Sequence, residues 1–192
     1  MAKKYEFKPD RQTPAILSKL FLTPTQRKSV LKWGLYSLVL LALSVLQDVL
    51  LCKFRLYGAT TELVPCGIFL ICLMEDLERS SIFSLCAACI YLFSGSAAGY
   101  HSIVLITALC VGICIFRQNY LRKGFSAGML CTVFAVFVYE LSVFAVAVFL
   151  GQTTLPRIGS ICITALLTLL SAPILYPIVN LISTIGGQAW KE

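Results

Sequence analysis

The run Leu38-Val39-Leu40-Leu41-Ala42-Leu43 is apolar at every position, and similar runs recur along the chain from Trp33 to Ile182. In lipid every backbone polar group needs an internal partner, so only helices or a closed barrel can span a bilayer. A barrel strand would alternate apolar and polar residues, whereas these runs are apolar at odd and even positions alike. The pattern therefore predicts an all-α, polytopic membrane bundle.

The composition fits a single membrane domain. The chain has 192 residues, of which 58% are hydrophobic, and its mean hydropathy is +0.86. Six crossings of roughly 20 residues each would use most of this length. We predict one transmembrane domain over residues 33–185, a basic N-terminal tail at 1–32 and a short tail at 186–192. No cleaved signal peptide is expected, because the first apolar run begins only at Trp33.

Six apolar segments are predicted to form the bundle, and the second and third are short. Their bounds are Trp33–Leu51, Leu63–Met74, Ser80–Phe93, His101–Phe116, Phe125–Leu150 and Ile158–Ile182. Each short segment covers only about 20 Å at 1.5 Å per residue, so it needs flanking residues or local bilayer thinning to cross. Six crossings, and four crossings plus one re-entrant hairpin, both remain open.

Basic residues lie mostly on one side of the predicted bundle. With the N-terminus inside, the inner pieces carry thirteen Lys and Arg residues, and the outer pieces carry three, Lys53, Arg55 and Arg157. The positive-inside rule then predicts an N-in/C-in topology in the cytoplasmic membrane. The same topology and anionic lipid account for the net charge of +7, so we expect no nucleic-acid partner.

The N-terminal region carries two helix-start signals, Thr13-Pro14 and Thr23-Pro24, each with a cap residue before a first-turn proline. An apolar stripe follows the first signal, formed by Ile16, Leu17, Leu20 and Phe21. Two interpretations remain open here, an interfacial helix on anionic lipid and a polar tail with a little helix.

The nine cysteines and the single histidine give little sign of a metal or redox site. Cys86 and Cys89 have the spacing of such sites. A metal site needs about four convergent ligands, however, and His101 is the only histidine. We interpret the cysteines as small, buried apolar residues, and we expect no metal or cofactor.

Glu140 is the most conspicuous candidate functional residue, because ionisable groups inside membrane spans are often functional. It lies near the middle of the fifth segment. It could make a buried hydrogen bond to a serine, a tyrosine or the backbone, form a helix or subunit contact, or couple to a proton or substrate. No nucleophile–base pair, carboxylate pair or metal cluster can be assembled with it, so we do not expect an enzyme.

Three further motifs are polar or conformationally special. Gln47 and Asp48 end the first segment, where they either meet headgroups or contact an outer partner. Residues 94–99 form a compact turn of small residues, including Gly95 and Gly99, that permits close backbone approach. Pro173 and Pro177 lie four residues apart in the last segment and predict a kink there.

Taken in order, these motifs resemble the MreD family, membrane proteins of the bacterial cell-elongation system. The match covers about residues 35–185. It comprises Leu46-Gln47-Asp48, a short helix pair, Ser94-Gly95-Ser96-x-x-Gly99-Tyr100, Tyr139-Glu140-Leu141 and Ala172-Pro173-x-x-Tyr176-Pro177. One departure is Tyr91, which stands near a place where the family tends to have an aspartate.

The resemblance implies a non-enzymatic scaffold that binds MreC, helps to regulate the elongation transpeptidase and RodA, and connects to MreB inside the cell. It also implies a fold similar to the six-helix substrate-binding subunits of energy-coupling vitamin transporters, and such a subunit is the alternative function. The candidate structural or partner-contact residues are Gln47, Asp48, Ser94, Gly95, Gly99, Glu140, Pro173, Tyr176 and Pro177.

Overall fold

The computed structural model of the chain describes residues 24–50, 61–95, 97–120 and 124–185. Within these ranges the protein is helical and has no β-strand. The helices are α1 (Pro24–Val45), α2 (Leu63–Met74), α3 (Leu77–Phe93), α4 (His101–Tyr120), α5 (Phe125–Phe149) and α6 (Ile158–Ser183). A π-helical turn, Leu46–Leu50, continues α1, and a 3-10 turn, Leu155–Arg157, leads into α6. The predicted interfacial helix near Ile16 lies outside the described residues.

The predicted segments coincide with these helices, with differences at their ends. The second segment has the same bounds as α2. The first helix begins at Pro24 rather than Trp33, so Lys32 belongs to α1 and not to a separate tail. The third helix begins at Leu77, which leaves only Glu75 and Asp76 between α2 and α3.

Helix α2 forms the centre of the bundle. All of its 12 residues are buried, and it contacts each of the other five helices. A helix that is apolar on every side is typical of a core position. Its length is about 18 Å at 1.5 Å per residue, well short of a bilayer core of about 30 Å. The short second segment is therefore the element around which the other helices pack.

Four helical stretches in the described part of the chain are long and apolar enough to cross a membrane. They are Arg27–Val49, His101–Asn119, Phe125–Phe149 and Ile158–Ser183. Large apolar side chains such as Leu38 and Leu166 are exposed on these helices, as expected of surfaces that face lipid. The number of crossings and the N-in/C-in orientation remain predictions.

Contacts between helices define two ends of the bundle, which we name after the residues that flank α2. At the Glu62 end, Gln47 contacts Val64, and Tyr91 contacts Glu62. At the Glu75 end, Tyr36 contacts Glu75. Neighbouring helices from α1 to α3 therefore run antiparallel.

Helices α4, α5 and α6 continue this alternation. Arg117, near the end of α4, contacts Leu73 close to the Glu75 end. Gly128, near the start of α5, approaches both Leu73 and Tyr176 of α6. At the opposite end, Thr168 of α6 contacts the backbone of Glu62.

The longest helices extend beyond the Glu62 end of α2. Thr168 is ten residues into α6, so the first part of α6 reaches about 15 Å past Glu62. Glu140 lies nine residues before the end of α5, which corresponds to about 13 Å. The start of α2 therefore lies within the bundle rather than at its surface.

Two predicted motifs remain, the turn of small residues between α3 and α4 and the proline pair in α6. Gly95 has φ 77° and Gly99 has φ 154°, so the turn between α3 and α4 uses the freedom of glycine. A Cβ at Gly99 would also approach the ring of His101 at 3.0 Å. Helix α6 continues through Pro173 and Pro177 without interruption, and the kink stays a prediction.

Candidate functional site at the Glu62 end

Side chains from other helices cap the N-terminus of α2. Gln47, in the turn after α1, accepts a hydrogen bond from the backbone N–H of Val64 through Oε1 at 3.1 Å. Thr168 of α6 accepts one from the backbone N–H of Glu62 through Oγ1, also at 3.1 Å. The first N–H groups of a helix have no partner within the helix, so burying them requires such acceptors. These two bonds explain why polar side chains gather at this depth.

The Glu62 side chain is held by a tyrosine of α3. The Tyr91 hydroxyl, which is buried, donates to Glu62 Oε2 at 3.3 Å. Ser94 lies one turn further on and donates to the Tyr91 carbonyl at 2.8 Å. The turn of small residues predicted from sequence therefore begins directly beside the site.

Helices α4 and α5 contribute three more buried polar residues, Ser102, Tyr139 and Glu140. Tyr139 packs edge-on against Phe69 of α2, with ring centroids 6.1 Å apart. Its hydroxyl also lies within electrostatic range of Glu62. We call the set Gln47, Glu62, Tyr91, Ser102, Tyr139, Glu140 and Thr168 the Glu62 cluster.

The cluster contains two carboxylates. Glu140 lies within electrostatic range of Glu62, so ionisation of one carboxyl group disfavours ionisation of the other. This pair could not be recognised from the sequence. Glu62 stands outside every apolar run, so it was not counted among the residues of the membrane spans. The salt bridge between Lys32 and Glu75 lies at the opposite end of α2. Glu62 and Glu140 form no salt bridge with a described residue.

Several atoms of the cluster have no hydrogen-bond partner among the described residues. They are Glu140 Oε1, the Tyr139 hydroxyl and Ser102 Oγ, and His101 Nε2 beside the cluster is in the same state. A buried hydrogen bond to a serine, a tyrosine or the backbone was one of three alternatives that the sequence left open for Glu140, and Oε1 makes no such bond to a described residue. Buried polar atoms without partners are costly and usually mark a place for water, an ion or a ligand.

Glu140 also lines a small cavity between α5 and α6. The cavity has a volume of about 80 Å³. Its other walls are apolar side chains, among them Phe137, Phe144, Ile161 and Ala165. The acidic side chain is thus placed between a polar cluster and an apolar space.

A second buried polar group lies at the Glu75 end. Glu75 is paired with Lys32 and accepts a hydrogen bond from the Tyr36 hydroxyl at 2.9 Å. Arg117 donates to the carbonyl of Leu73, one of the last carbonyls of α2, where a cation is favoured by the helix dipole. Both ends of the central helix are therefore capped by other helices, which sequence reasoning did not anticipate.

The described cysteines are all free. Cys114 donates through its Sγ to the Cys72 carbonyl and to Ser80 Oγ, both at 3.2 Å. No group of three or more candidate ligands that could hold a metal ion occurs among the described residues. Cys86 and Cys89, the pair with metal-site spacing, lie on the outer face of α3.

The sequence-predicted candidates divide between the two ends. Gln47 and Glu140 belong to the Glu62 cluster, and Ser94, Gly95 and Gly99 form the adjacent turn. Asp48 is exposed and accepts a hydrogen bond from Ser44 at 3.5 Å.

The proline motif lies apart from the cluster. Tyr176 packs against Phe125 with ring centroids 4.8 Å apart, towards the Glu75 end, and Pro173 and Pro177 flank it.

Four residues of the Glu62 cluster were not predicted as site residues from the sequence. They are Glu62, Tyr91, Ser102 and Thr168. A sequence signal existed only for Glu62, a lone acidic residue directly before an apolar run.

Comparisons with known proteins found no match to a family model, to a curated protein or to a solved structure. The fold and the site together define an all-helical protein with four candidate membrane spans and a buried polar cluster at one end of its central helix.

Proposed function

We propose that the chain is a non-enzymatic scaffold of the bacterial cell-elongation complex in the cytoplasmic membrane. It binds MreC and helps to regulate the elongation transpeptidase and RodA, with MreB on the cytoplasmic side. The observation that carries this proposal is the position of Gln47 and Glu140 around the start of α2, where Gln47 caps the Val64 N–H and Glu140 lies within electrostatic range of Glu62. They come from two separate motifs of the resemblance to MreD, and motifs that converge in space support a resemblance better than isolated ones.

A groove between α4 and α5 offers a surface for a partner helix. It has a volume of about 420 Å³ and includes the small residues Ala108, Gly112, Cys131 and Ala135. In lipid, helices associate by close packing over such residues. A Cβ at Gly112 would meet nothing within 4 Å, so the space beside it is open. We place the membrane helix of MreC in this groove.

Charge supports an assignment of the Glu75 end to the cytoplasm. Arg27 and Lys28 are exposed on the first turns of α1, beyond the level of Glu75. Anionic lipid on the cytoplasmic leaflet attracts such residues by about 1 kcal/mol each. The Glu62 cluster then faces the outer half of the membrane.

The alternative function, a substrate-binding subunit of a vitamin transporter, needs a larger polar pocket. Small-molecule sites usually measure about 300–1,000 Å³ and combine apolar walls with a few polar groups. The cavity lined by Glu140 measures about 80 Å³, and the larger α4–α5 groove is lined by apolar and small residues only. The apolar lining of the larger groove and the small size of the Glu140 cavity therefore favour the scaffold.

The test is a pull-down of the tagged chain from its own membranes in mild detergent, with partners identified by mass spectrometry. We expect to recover MreC, together with RodA or the elongation transpeptidase. Recovery of paired ATPases with a membrane coupling subunit, and no MreC, would overturn the scaffold proposal in favour of the transporter subunit.

A further inference from the structure

Two buried carboxylates in the described part of the chain, Glu75 and Glu140, differ in their contacts. Glu75 is 1% exposed, and Lys32 and Tyr36 both contact it. Glu140 is 6% exposed, and its Oε1 has no hydrogen-bond partner among the described residues. A buried charge costs several kcal/mol unless it is paired. Among the described residues, no ammonium group pairs with Glu140 as Lys32 pairs with Glu75.

Glu62 adds a second acidic side chain beside Glu140, and two neighbouring carboxyl groups favour a bound cation. Each of the two carboxyl groups lies within electrostatic range of the other, so ionisation of one disfavours ionisation of the other, and neither forms a salt bridge with a described residue. Among the described residues, the hydroxyl groups of Tyr139 and Ser102 in the same cluster have no hydrogen-bond partner. These oxygens provide the acceptors that a cation with several N–H donors requires.

The cavity beside Glu140 indicates the kind of cation. Hard cations such as Mg²⁺ and Ca²⁺ need about six oxygen ligands, but the walls of this cavity are apolar apart from Glu140. A volume of about 80 Å³ has room for a short aliphatic chain. A molecule with a charged head group and an apolar chain fits both surroundings of Glu140. Its head group would face the Glu62 cluster, and its chain would lie in the apolar cavity.

We propose that Glu140 and Glu62 bind the ammonium group of an aliphatic amine, whose carbon chain occupies the α5–α6 cavity. The amine reproduces, from outside the chain, the contact that Lys32 makes with Glu75. Its source is either a free alkylamine or the lysine side chain of a neighbouring membrane helix. The site does not depend on MreC binding, so the two proposals stand or fall separately.

The experiment uses the purified full chain in detergent and compares its apparent melting temperature in n-butylammonium, ammonium and sodium chlorides and in n-butanol. We expect n-butylammonium to raise this temperature by about 2–4 °C once its concentration exceeds the Kd severalfold. Ammonium should act more weakly, because it leaves the cavity empty. Sodium chloride and n-butanol should have no specific effect.

Variants locate the effect. Glu140→Gln removes the charge and keeps the shape, and should abolish the n-butylammonium shift, whereas Glu78→Gln, at an exposed site on α3, should keep it. Ala165→Val keeps both carboxylates and narrows the cavity. It should lose the n-butylammonium shift and retain the weaker ammonium shift, so the test survives even if Glu140→Gln does not fold.

The outcomes are distinct. An equal shift with sodium chloride would identify an alkali-ion site and overturn the amine proposal, as would no shift in the wild type or an unchanged shift in Glu140→Gln. The source of the amine is tested in vesicles that contain the protein and a Leu/Ala membrane peptide. The peptide carries either lysine or norleucine at its centre, and its binding to the protein is measured. Binding of the lysine peptide alone assigns a helix lysine, and binding of neither peptide assigns a free amine.

Discussion

The ammonium group of Lys32 in α1 pairs with the carboxylate of Glu75 at the end of α2, and both side chains are buried. The Tyr36 hydroxyl donates to the same Glu75 oxygen, Oε1, at 2.9 Å. Trp33 and Phe83 pack beside this pair, with ring centroids 5.1 Å apart. The first helix is thereby joined to the central helix at the Glu75 end.

Breaking this pair should destabilise the protein strongly. Lys32→Met leaves Glu75 buried without its cation, and we expect a loss of about 3–5 kcal/mol in the free energy of unfolding. Denaturation by SDS in mixed micelles measures this change. Lys28→Met is the matched control, because Lys28 is exposed on the same helix, and its effect should stay within about 0.5 kcal/mol. Equal effects of the two variants would contradict a structural role for the pair.

Gln47→Met should weaken the start of α2. The variant keeps the size of the side chain but removes the acceptor for the Val64 N–H, which lies at 3.1 Å. An unsatisfied buried donor costs about 1–3 kcal/mol, measurable in the same unfolding assay. Asp48→Asn, on the exposed neighbour, should change stability by no more than about 0.5 kcal/mol. If Gln47→Met were as stable as wild type, the Glu62 end would not need this cap.

Gly67→Leu should force α1 and α2 apart. A Cβ at Gly67 would lie 2.7 Å from Leu43 Cδ1 and 3.3 Å from Leu40 Cδ2, and overpacking of this kind costs about 1–3 kcal/mol. Gly34→Leu is the control, since a Cβ there meets nothing within 4 Å. A stable Gly67→Leu variant would show that the two helices are not held in close contact.

Gly112→Leu should block partner binding without unfolding the protein. The new side chain would fill the open space of the α4–α5 groove, so we expect recovery of MreC in the pull-down to fall about tenfold, equivalent to about 1.4 kcal/mol. The melting temperature of the purified variant should match that of wild type. Gly159→Leu, also at an open position, should retain MreC. Unchanged recovery with Gly112→Leu would place the partner on another surface.

The sequence predicted the helices better than their roles. The bounds of α2 agree with the second apolar segment, because apolarity is a property of consecutive residues. The role of that segment could not be predicted in the same way. It was expected to cross the membrane or to form part of a re-entrant hairpin, whereas in the structure all of its faces are covered by other helices.

The Glu62 cluster was only half predicted. Gln47 and Glu140 could be recognised because they interrupt or end apolar runs. Their neighbours could not, since the bonds that define the cluster join residues 29 and 106 positions apart, Tyr91 with Glu62 and Glu62 with Thr168. A single sequence carries no signal for such pairs.

The apolar runs alone identify this protein as a bundle of apolar helices, because in lipid an apolar run must satisfy its own backbone hydrogen bonds. The central position of α2, the pairing of Lys32 with Glu75 and the proximity of Glu62 to Glu140 become visible only in the packed bundle. Burial and charge pairing depend on which helices lie side by side, and lateral packing is set by contacts between distant residues rather than by any local pattern.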